Sequence, residues 1–250
     1  MHVVMNQSHL RSTLGFALMI GWAMWAAEAA EPAASAAPNQ PTDTEKVAGG
    51  RLLFDGKTTA GWQGANHRPF PQRGWVVDNG CLKHLANGGG GDIVTTDQFT
   101  DFEFDFEWRL GPGANSGVKY LLRQGAAGVV GHEYQLWDQP GQDASGPPNK
   151  GSTASFYDVL PPKPHQPLRP PGQFNHSRIL VQGQHVEHWL NGEKVLEYEL
   201  GSEAVKSAVA ASKFKAVTGF GTRIRTSLLL QDHGGEVWFR NLKLRARPAE

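Results

Sequence analysis

The chain has 250 residues, with 24 basic and 24 acidic side chains, ten histidines and a single cysteine. Its zero formal charge argues against a nucleic-acid or anionic-membrane partner, and the lone Cys81 excludes an intrachain disulfide. Thirty glycines and sixteen prolines punctuate short alternating segments, the pattern of an all-β sandwich or jelly roll.

Met1 to Ala29 reads as a secretory signal peptide. Arg11 closes a weakly basic start, Thr13 to Ala27 is apolar but short for a membrane span, and Ala27-Glu28-Ala29 offers a small-residue cleavage site. The expected location is therefore exported, periplasmic or secreted, with no membrane attachment beyond export. Residues 30–48, rich in Ala and Pro, read as a linker. Residues 49–248 are enough for one domain with a sizeable core.

Along that domain the alternation predicts strands at Leu52–Phe54, Trp75–Asp78, Cys81–His84, Asp92–Thr95, Phe102–Leu110, Gly117–Arg123 and His132–Trp137. Further strands are expected at Asn175–Gln182, His185–Leu190, Glu193–Glu199, Gly219–Thr222, Thr226–Gln231 and Val237–Leu244. Asn191-Gly192 and Asn79-Gly80 are two-residue hairpin turns. One short surface helix is predicted over Ala204–Phe214, capped by Ser202 with Glu203 in its first turn. Residues 139–174 hold nine of the sixteen prolines and the pair Phe156-Tyr157. A loop this long inside a domain is expected to line a binding site.

The clearest strand is Phe102–Arg109. Its even positions are aromatic and its odd positions, Glu103, Asp105, Glu107 and Arg109, are charged, so one face enters a core and the other is polar. Glu133 and Gln135 share a strand face, with Trp137 and Asp138 at its end. Lys119 and Arg123 alternate with apolar neighbours, and Gln231 and His233 alternate with Leu230 and Asp232. The plain reading of each is a solvated strand face, and Glu103 and Asp105 are left there. Likewise Asp232-His233-Gly234 reads as a tight turn with a local hydrogen bond. The functional reading is a sugar site: carboxylates and amides bind hydroxyls, an indole stacks on a pyranose, and a histidine trades protons near neutral pH. His67, His84, His132, His165, His176, His185 and His188 lack metal-ligand spacing; a calcium site built of oxygen ligands is left open. Phosphate-binding glycine loops, GxSxG elbows and HExxH helices are absent, and no organic cofactor is expected.

Nine segments together resemble the 3-keto-disaccharide hydrolase family. They are Leu53-Phe-Asp-Gly-Lys-Thr58 with Gly61-Trp62, Gly91-Asp-Ile-Val-Thr95, Phe99–Arg109, Asn115-Ser-Gly-Val118, Glu133-Tyr-Gln-Leu-Trp-Asp138, Gly172-Gln-Phe-Asn175, Asn191-Gly192, Gln231-Asp-His-Gly234 and Phe239-Arg-Asn-Leu242. The resemblance implies a concanavalin-like jelly roll acting on glycosides carrying a ketone at sugar carbon 3, with the ligand on its concave face. In that chemistry a base removes the acidified C2 proton, the C1 aglycone leaves, and water adds. Glu133 and His233 are the expected base and acid, in either order. Lys119, Arg123 and Gln135 are expected to contact the enolate or hydroxyls. Glu107, Arg109, Asn115, Trp137, Asp138, Gln231 and Arg240 are expected to position the sugar or an ion. Phe174 departs from the tryptophan often found in that segment, and Gly117–Arg123 is longer than the family's usual form.

Two other readings are open. Glu103-Phe-Asp-Phe-Glu107 matches the Glu-x-Asp-x-Glu strand of some retaining glucanases, and a sandwich also hosts non-catalytic, lectin-like sugar binders.

Overall fold

The computed structural model describes Met1 and residues 38–126, 128–138, 147–170 and 172–247. Apart from Met1, the expected signal peptide, the linker to residue 37 and the 139–146 stretch of the long loop lie outside the described residues. From residue 38 onward the described residues fall within one compact unit, Ala36–Glu250.

The elements in chain order are α1 (Asp43–Val47), β1 (Gly50–Leu52), β2 (Trp62–Gly64), β3 (Trp75–Asp78), β4 (Cys81–His84), β5 (Ile93–Thr95), β6 (Phe102–Leu110), β7 (Asn115–Gly125), β8 (Gly128–Trp137), β9 (Asn175–Gln182), β10 (His185–Leu190), β11 (Glu193–Glu199), α2 (Glu203–Ala210), β12 (Leu229–Leu230) and β13 (Val237–Ala246). Strands β11-β10-β9-β6-β13-β4-β3 form one antiparallel sheet, with β1 also on β13; β2-β5-β12-β7-β8 form the other.

The aromatic face of β6 explains why the sheets stack. Phe102, Phe104, Phe106 and Trp108 are each no more than 3% exposed. Their rings meet tyrosines of the opposite sheet edge to face, Phe102 against Tyr120 at 6.1 Å and Phe106 against Tyr134 at 5.5 Å. Burial of each such ring contributes about 1.5–3 kcal/mol, before the smaller gain from ring geometry. This is the all-β jelly-roll sandwich expected.

Both hairpin turns form with left-handed φ at each central residue, Asn79 and Gly80 between β3 and β4, Asn191 and Gly192 between β10 and β11. The Ser202 side chain caps α2 by accepting from the Val205 N–H. The helix stops at Ala210, short of the expected Phe214, because the Ser212 hydroxyl donates to the Val209 carbonyl and accepts from the Phe214 N–H.

Other boundaries differ. The strand expected at Gly219–Thr222 is a turn, since Gly219 and Gly221 both take left-handed φ and Thr222 N–H returns to Gly219 O. Thr226–Gln231 contracts to β12, with only an isolated bridge from Thr226 to Phe99. Strand β2 is too short to show alternation; Trp62 is held there by its indole N–H on the Leu53 carbonyl at 2.6 Å. A second helix, α1, lies within the expected linker. Thr42 and Glu45 form a reciprocal cap on it, and Asn39 before it is buried against the larger sheet.

The described part of the long loop is also organised. Ala154 N–H donates to Gln135 O and Tyr157 N–H to Glu133 O, so residues 154–157 run along the free edge of β8 and satisfy it.

Candidate active site

The site lies on the face of the smaller sheet turned away from the larger one. On β7, Val118 and Tyr120 enter the core, which sends Asn115, Gly117 and Lys119 the other way. Register then adds the β8 residues: Lys119 faces Glu133, Gly117 faces Gln135 and Asn115 faces Trp137. Just beyond β12, Gln231 joins them through its N–H on Gly117 O at 3.0 Å.

Three loop segments build walls on this floor: Tyr157 from the long loop, Lys213 and Phe214 after α2, and His233 from the turn before β13. The cavity measures about 470 Å³ with its mouth included, at the small end of ligand sites. Asn115, Lys119, Val130, Gly131, Glu133, Gln135, Gln231 and the three walls line it.

Glu133 is its buried acid, 5% exposed. Its carboxylate lies directly over Gly117: a methyl group there would land on Oε1, with Cδ and Cγ both at 2.9 Å. Gly117 therefore provides the close approach that a bare α-carbon permits. Lys119 Nζ stands 3.8 Å from Glu133 Oε2, a Coulombic contact longer than a hydrogen bond. The Gln231 amide bridges the two when oriented to satisfy both, donating to Glu133 Oε1 at 3.3 Å and accepting from Lys119 Nζ at 3.0 Å. Gln135 Nε2 donates to Asn115 Oδ1 at 3.3 Å.

Burial pushes the Glu133 carboxyl above the usual glutamate range; Lys119 and Lys213 pull it part of the way back, and Asp92 pushes up again. Asp92 is itself raised, chiefly by burial, against the pull of Lys119, the Asp232 N–H and His233. An ionised Glu133 is thus a stronger base than a solvated glutamate.

The segment after β12 separates structure from display. Asp232 Oδ1 lies 3.0 Å from His84 Nε2 and accepts the Gly234 N–H at 2.9 Å, while Oδ2 accepts the Gly91 N–H. Its own N–H donates to Asp92 Oδ1 at 2.9 Å. The tight-turn reading of this segment holds for Asp232 and Gly234. His233, between them, is exposed and lines the pocket opposite this anchoring.

Glu133, His233, Lys119, Gln135, Asn115 and Gln231 are thus gathered in one place. Six other expected site residues are not among its lining. Glu107, Arg109 and Arg240 lie on the outer face of the larger sheet, because odd residues of β6 alternate away from the core. There Arg240 pairs with Glu107 at 2.6 Å, Asn241 donates to the same carboxylate, and Arg109 lies over Trp238 and Phe174. Arg123 is displaced by a bulge: Leu121 takes φ +50°, the β7–β8 register slips after Tyr120, and the guanidinium binds Thr222. Asp138 instead fastens the turn before β7, accepting the Gly113 N–H at 2.8 Å. Trp137 shares the floor's face but stands beyond Asn115, beside Gly151.

The glucanase-like trio is committed elsewhere as well. Glu103 is paired with Arg178 and Arg245, Asp105 faces His176 at 3.1 Å, and Glu107 is held by Arg240. Those three carboxylates sit on the opposite sheet from the pocket.

Sequence reasoning missed three residues here. Asp92 stands in a segment already singled out, but its partners come from 140 residues away. Tyr157 was flagged only as an aromatic in a long loop. For Lys213 there was no signal, since it fell inside the expected surface helix, which in fact ends at Ala210. As for a metal, the described residues bring three His or carboxylate ligand atoms within 4.8 Å only at His185, Glu187 and Glu197. That cluster is on the β10–β11 hairpin, and Lys194 already binds both glutamates.

Two stacked antiparallel sheets with a carboxylate-floored pocket on the smaller one define the protein as a jelly-roll sandwich. The model of the 3-keto-alpha-glucoside-1,2-lyase-like domain matches residues 49–245, and the chain belongs to that family. A 3-keto-disaccharide hydrolase of Bacteroides thetaiotaomicron is 32% identical over 224 residues, 77% of each chain. A Parabacteroides distasonis protein described as a glycosyl hydrolase superposes with a TM-score of 0.74 at 32% identity, covering 85% of this chain and all of that one. A second protein so described, from the same organism, gives 0.61 at 25% identity, covering 79% and 99%.

Proposed function

We propose that this protein cleaves the glycosidic bond of sugars already oxidised to a ketone at C3, such as 3-keto-disaccharides. Glu133 takes the C2 proton, and the C–H electron pair moves to place negative charge on the C3 oxygen. When that enolate collapses, the C3 carbonyl re-forms, a C1–C2 double bond appears and the C1–oxygen bond breaks. His233 protonates the departing oxygen. Addition of water across the new double bond returns the proton to C2 and puts hydroxyl on C1, giving net hydrolysis. Asn115 and Gln135 hold ring hydroxyls, and Gln231 and Lys119 hold Glu133 in place.

The observation that carries this reading is Glu133 itself: a carboxyl made more basic by burial, facing a sugar-sized cavity whose mouth bears a histidine. Family membership and the name of the Bacteroides relative support the same class of substrate. Export through the N-terminal segment would place the reaction in the periplasm or outside the cell.

The decisive experiment is time-resolved NMR of the full chain with a 3-keto-disaccharide and with its unoxidised parent. Turnover of the ketone alone is expected, through a 3-keto product. Equal cleavage of the parent would favour a glucanase, and binding without turnover a lectin. Glu133→Gln and His233→Ala should each lower the rate at least about 100-fold; a folded variant losing less than tenfold strikes that residue from the mechanism.

A further inference from the structure

We propose that Lys213 is a further catalytic residue of this pocket, the group that holds the C3 carbonyl oxygen and carries the negative charge gathering there as C2 is deprotonated. The inference rests on the ketosugar reading above and assigns the one role that reading leaves unfilled.

Proton removal α to a ketone needs a donor or cation already aimed at the oxygen that becomes anionic. Three cationic or potentially cationic side chains line the cavity: Lys119, His233 and Lys213. Lys119 is committed, since its ammonium faces both Glu133 and the Gln231 carbonyl oxygen. His233 is the proton source for the leaving oxygen. Lys213 is different: among the described residues its ammonium meets no carboxylate and no hydrogen-bond acceptor. It lies over two aromatic faces instead, 4.1 Å from the Tyr157 ring centroid and 5.1 Å from that of Phe214. A cation parked on aromatic faces keeps its three N–H donors for a ligand.

The backbone beneath this lysine is fixed from several sides, which is what preorganisation requires. Its own N–H donates to Asp158 Oδ2 at 2.7 Å. The preceding Ser212 is buried and closes the end of α2, and the following Phe214 is buried and stacked on Phe220 with centroids 4.3 Å apart. Asp158 takes left-handed φ, +62°, and its N–H is tied to Lys150 O. Two segments distant in sequence, the long loop and the tail of α2, are therefore clamped together where Lys213 and Tyr157 meet. Lys213 also acts electrostatically on Glu133, as expected of a charge across a small cavity. The arrangement sets base and cation around one ring: Glu133 at C2 and Lys213 at the oxygen of the adjacent carbon.

The test compares wild type with Lys213→Met and Lys213→Gln on two reactions. One is cleavage of a 3-keto-glucoside with a good leaving group, 4-nitrophenol. The other is exchange of the C2 proton for deuterium in the methyl 3-keto-glucoside, read by NMR. Lys213 is exposed, and circular dichroism with a thermal melt confirms that each variant is folded. A role at the enolate predicts a fall in kcat of about 100-fold or more for both reactions, with KM changed less than threefold. Proton exchange slowed less than tenfold overturns the proposal, including the case in which only KM or only aglycone preference changes. Failure of the ketosugar reading itself looks different, because wild type would then turn over neither compound.

Discussion

Gly117 is the residue on which the geometry of Glu133, the proposed base, depends. Its φ is ordinary, so alanine fits the backbone of β7 and even favours the strand. What alanine does not fit is Glu133, whose Cδ and Cγ would both lie 2.9 Å from the new methyl. Gly117→Ala should leave the melting temperature within a few degrees of wild type while lowering kcat about 100-fold, the scale for misplacing a catalytic group by an ångström. Calorimetry together with turnover checks this, and an active, stable variant would show that Glu133 has room to move. A glycine inside a strand signals that some neighbour approaches closely. It does not name the neighbour, because a carboxylate crossing from β8 is a matter of register between strands.

At the scale of elements, α1 and the residues before it belong to the sandwich. Asn39 Nδ2 donates to Gly80 O at 2.7 Å, Asn39 Oδ1 accepts the Asn241 N–H at 2.9 Å, and Asn39 N–H donates to Asn241 Oδ1 at 2.6 Å. Lys243 then pairs with Glu45 of α1 at 2.8 Å. Asn39→Ala removes two of these bonds and strands partly buried groups, an expected loss of about 2 kcal/mol in urea unfolding. A chain beginning at residue 49 should lose at least as much, and no loss in either would make the segment a passive tail. Composition alone marked residues 30–48 as linker. Ala and Pro content says little when a single asparagine can bind two distant backbone sites. The helix α2 shows the opposite case: its cap and first turn are local signals, and both were readable.

The whole molecule is joined by a polar chain through its core. His188 Nδ1 lies 2.9 Å from Ala154 O, Tyr120 joins His188 Nε2 to Tyr198, and Tyr198 meets His132 Nδ1 at 2.8 Å. Both histidines are buried and held neutral chiefly by burial, His132 down to about 3 and His188 to about 4. The unfolded chain binds protons on them near pH 6.5, whereas the folded one does not until it is far more acid. Stability therefore falls as pH drops from about 6.5 toward 4, by about 1.4 kcal/mol per pH unit for each histidine at the steepest. Among the described residues His132 Nε2 has no hydrogen-bond partner, and the ring stacks on Phe156 at 4.2 Å. His132→Phe keeps the stacking and removes one of the two titrations. The difference in unfolding free energy between variant and wild type should drift in the variant's favour on acidification; a flat difference from pH 6.5 to 4.5 would contradict the neutral assignment.

Alternation in the sequence by itself determined the two faces of β6, the hairpin turns at Asn79-Gly80 and Asn191-Gly192 and the cap of α2, because each depends on neighbours a few residues apart. It also put Glu133 with Gln135, and Gln231 with His233. Only tertiary structure decided which polar face became a pocket. The Glu103–Arg109 face is just as charged, yet it spends its carboxylates and most of its cations on one another. The Lys119–Glu133 face is walled by Tyr157, Lys213 and His233, so Lys119 and Glu133 are buried yet still face a cavity. A period of two residues tells that a strand has a polar side; the covering of that side comes from segments remote in sequence, which no local pattern encodes.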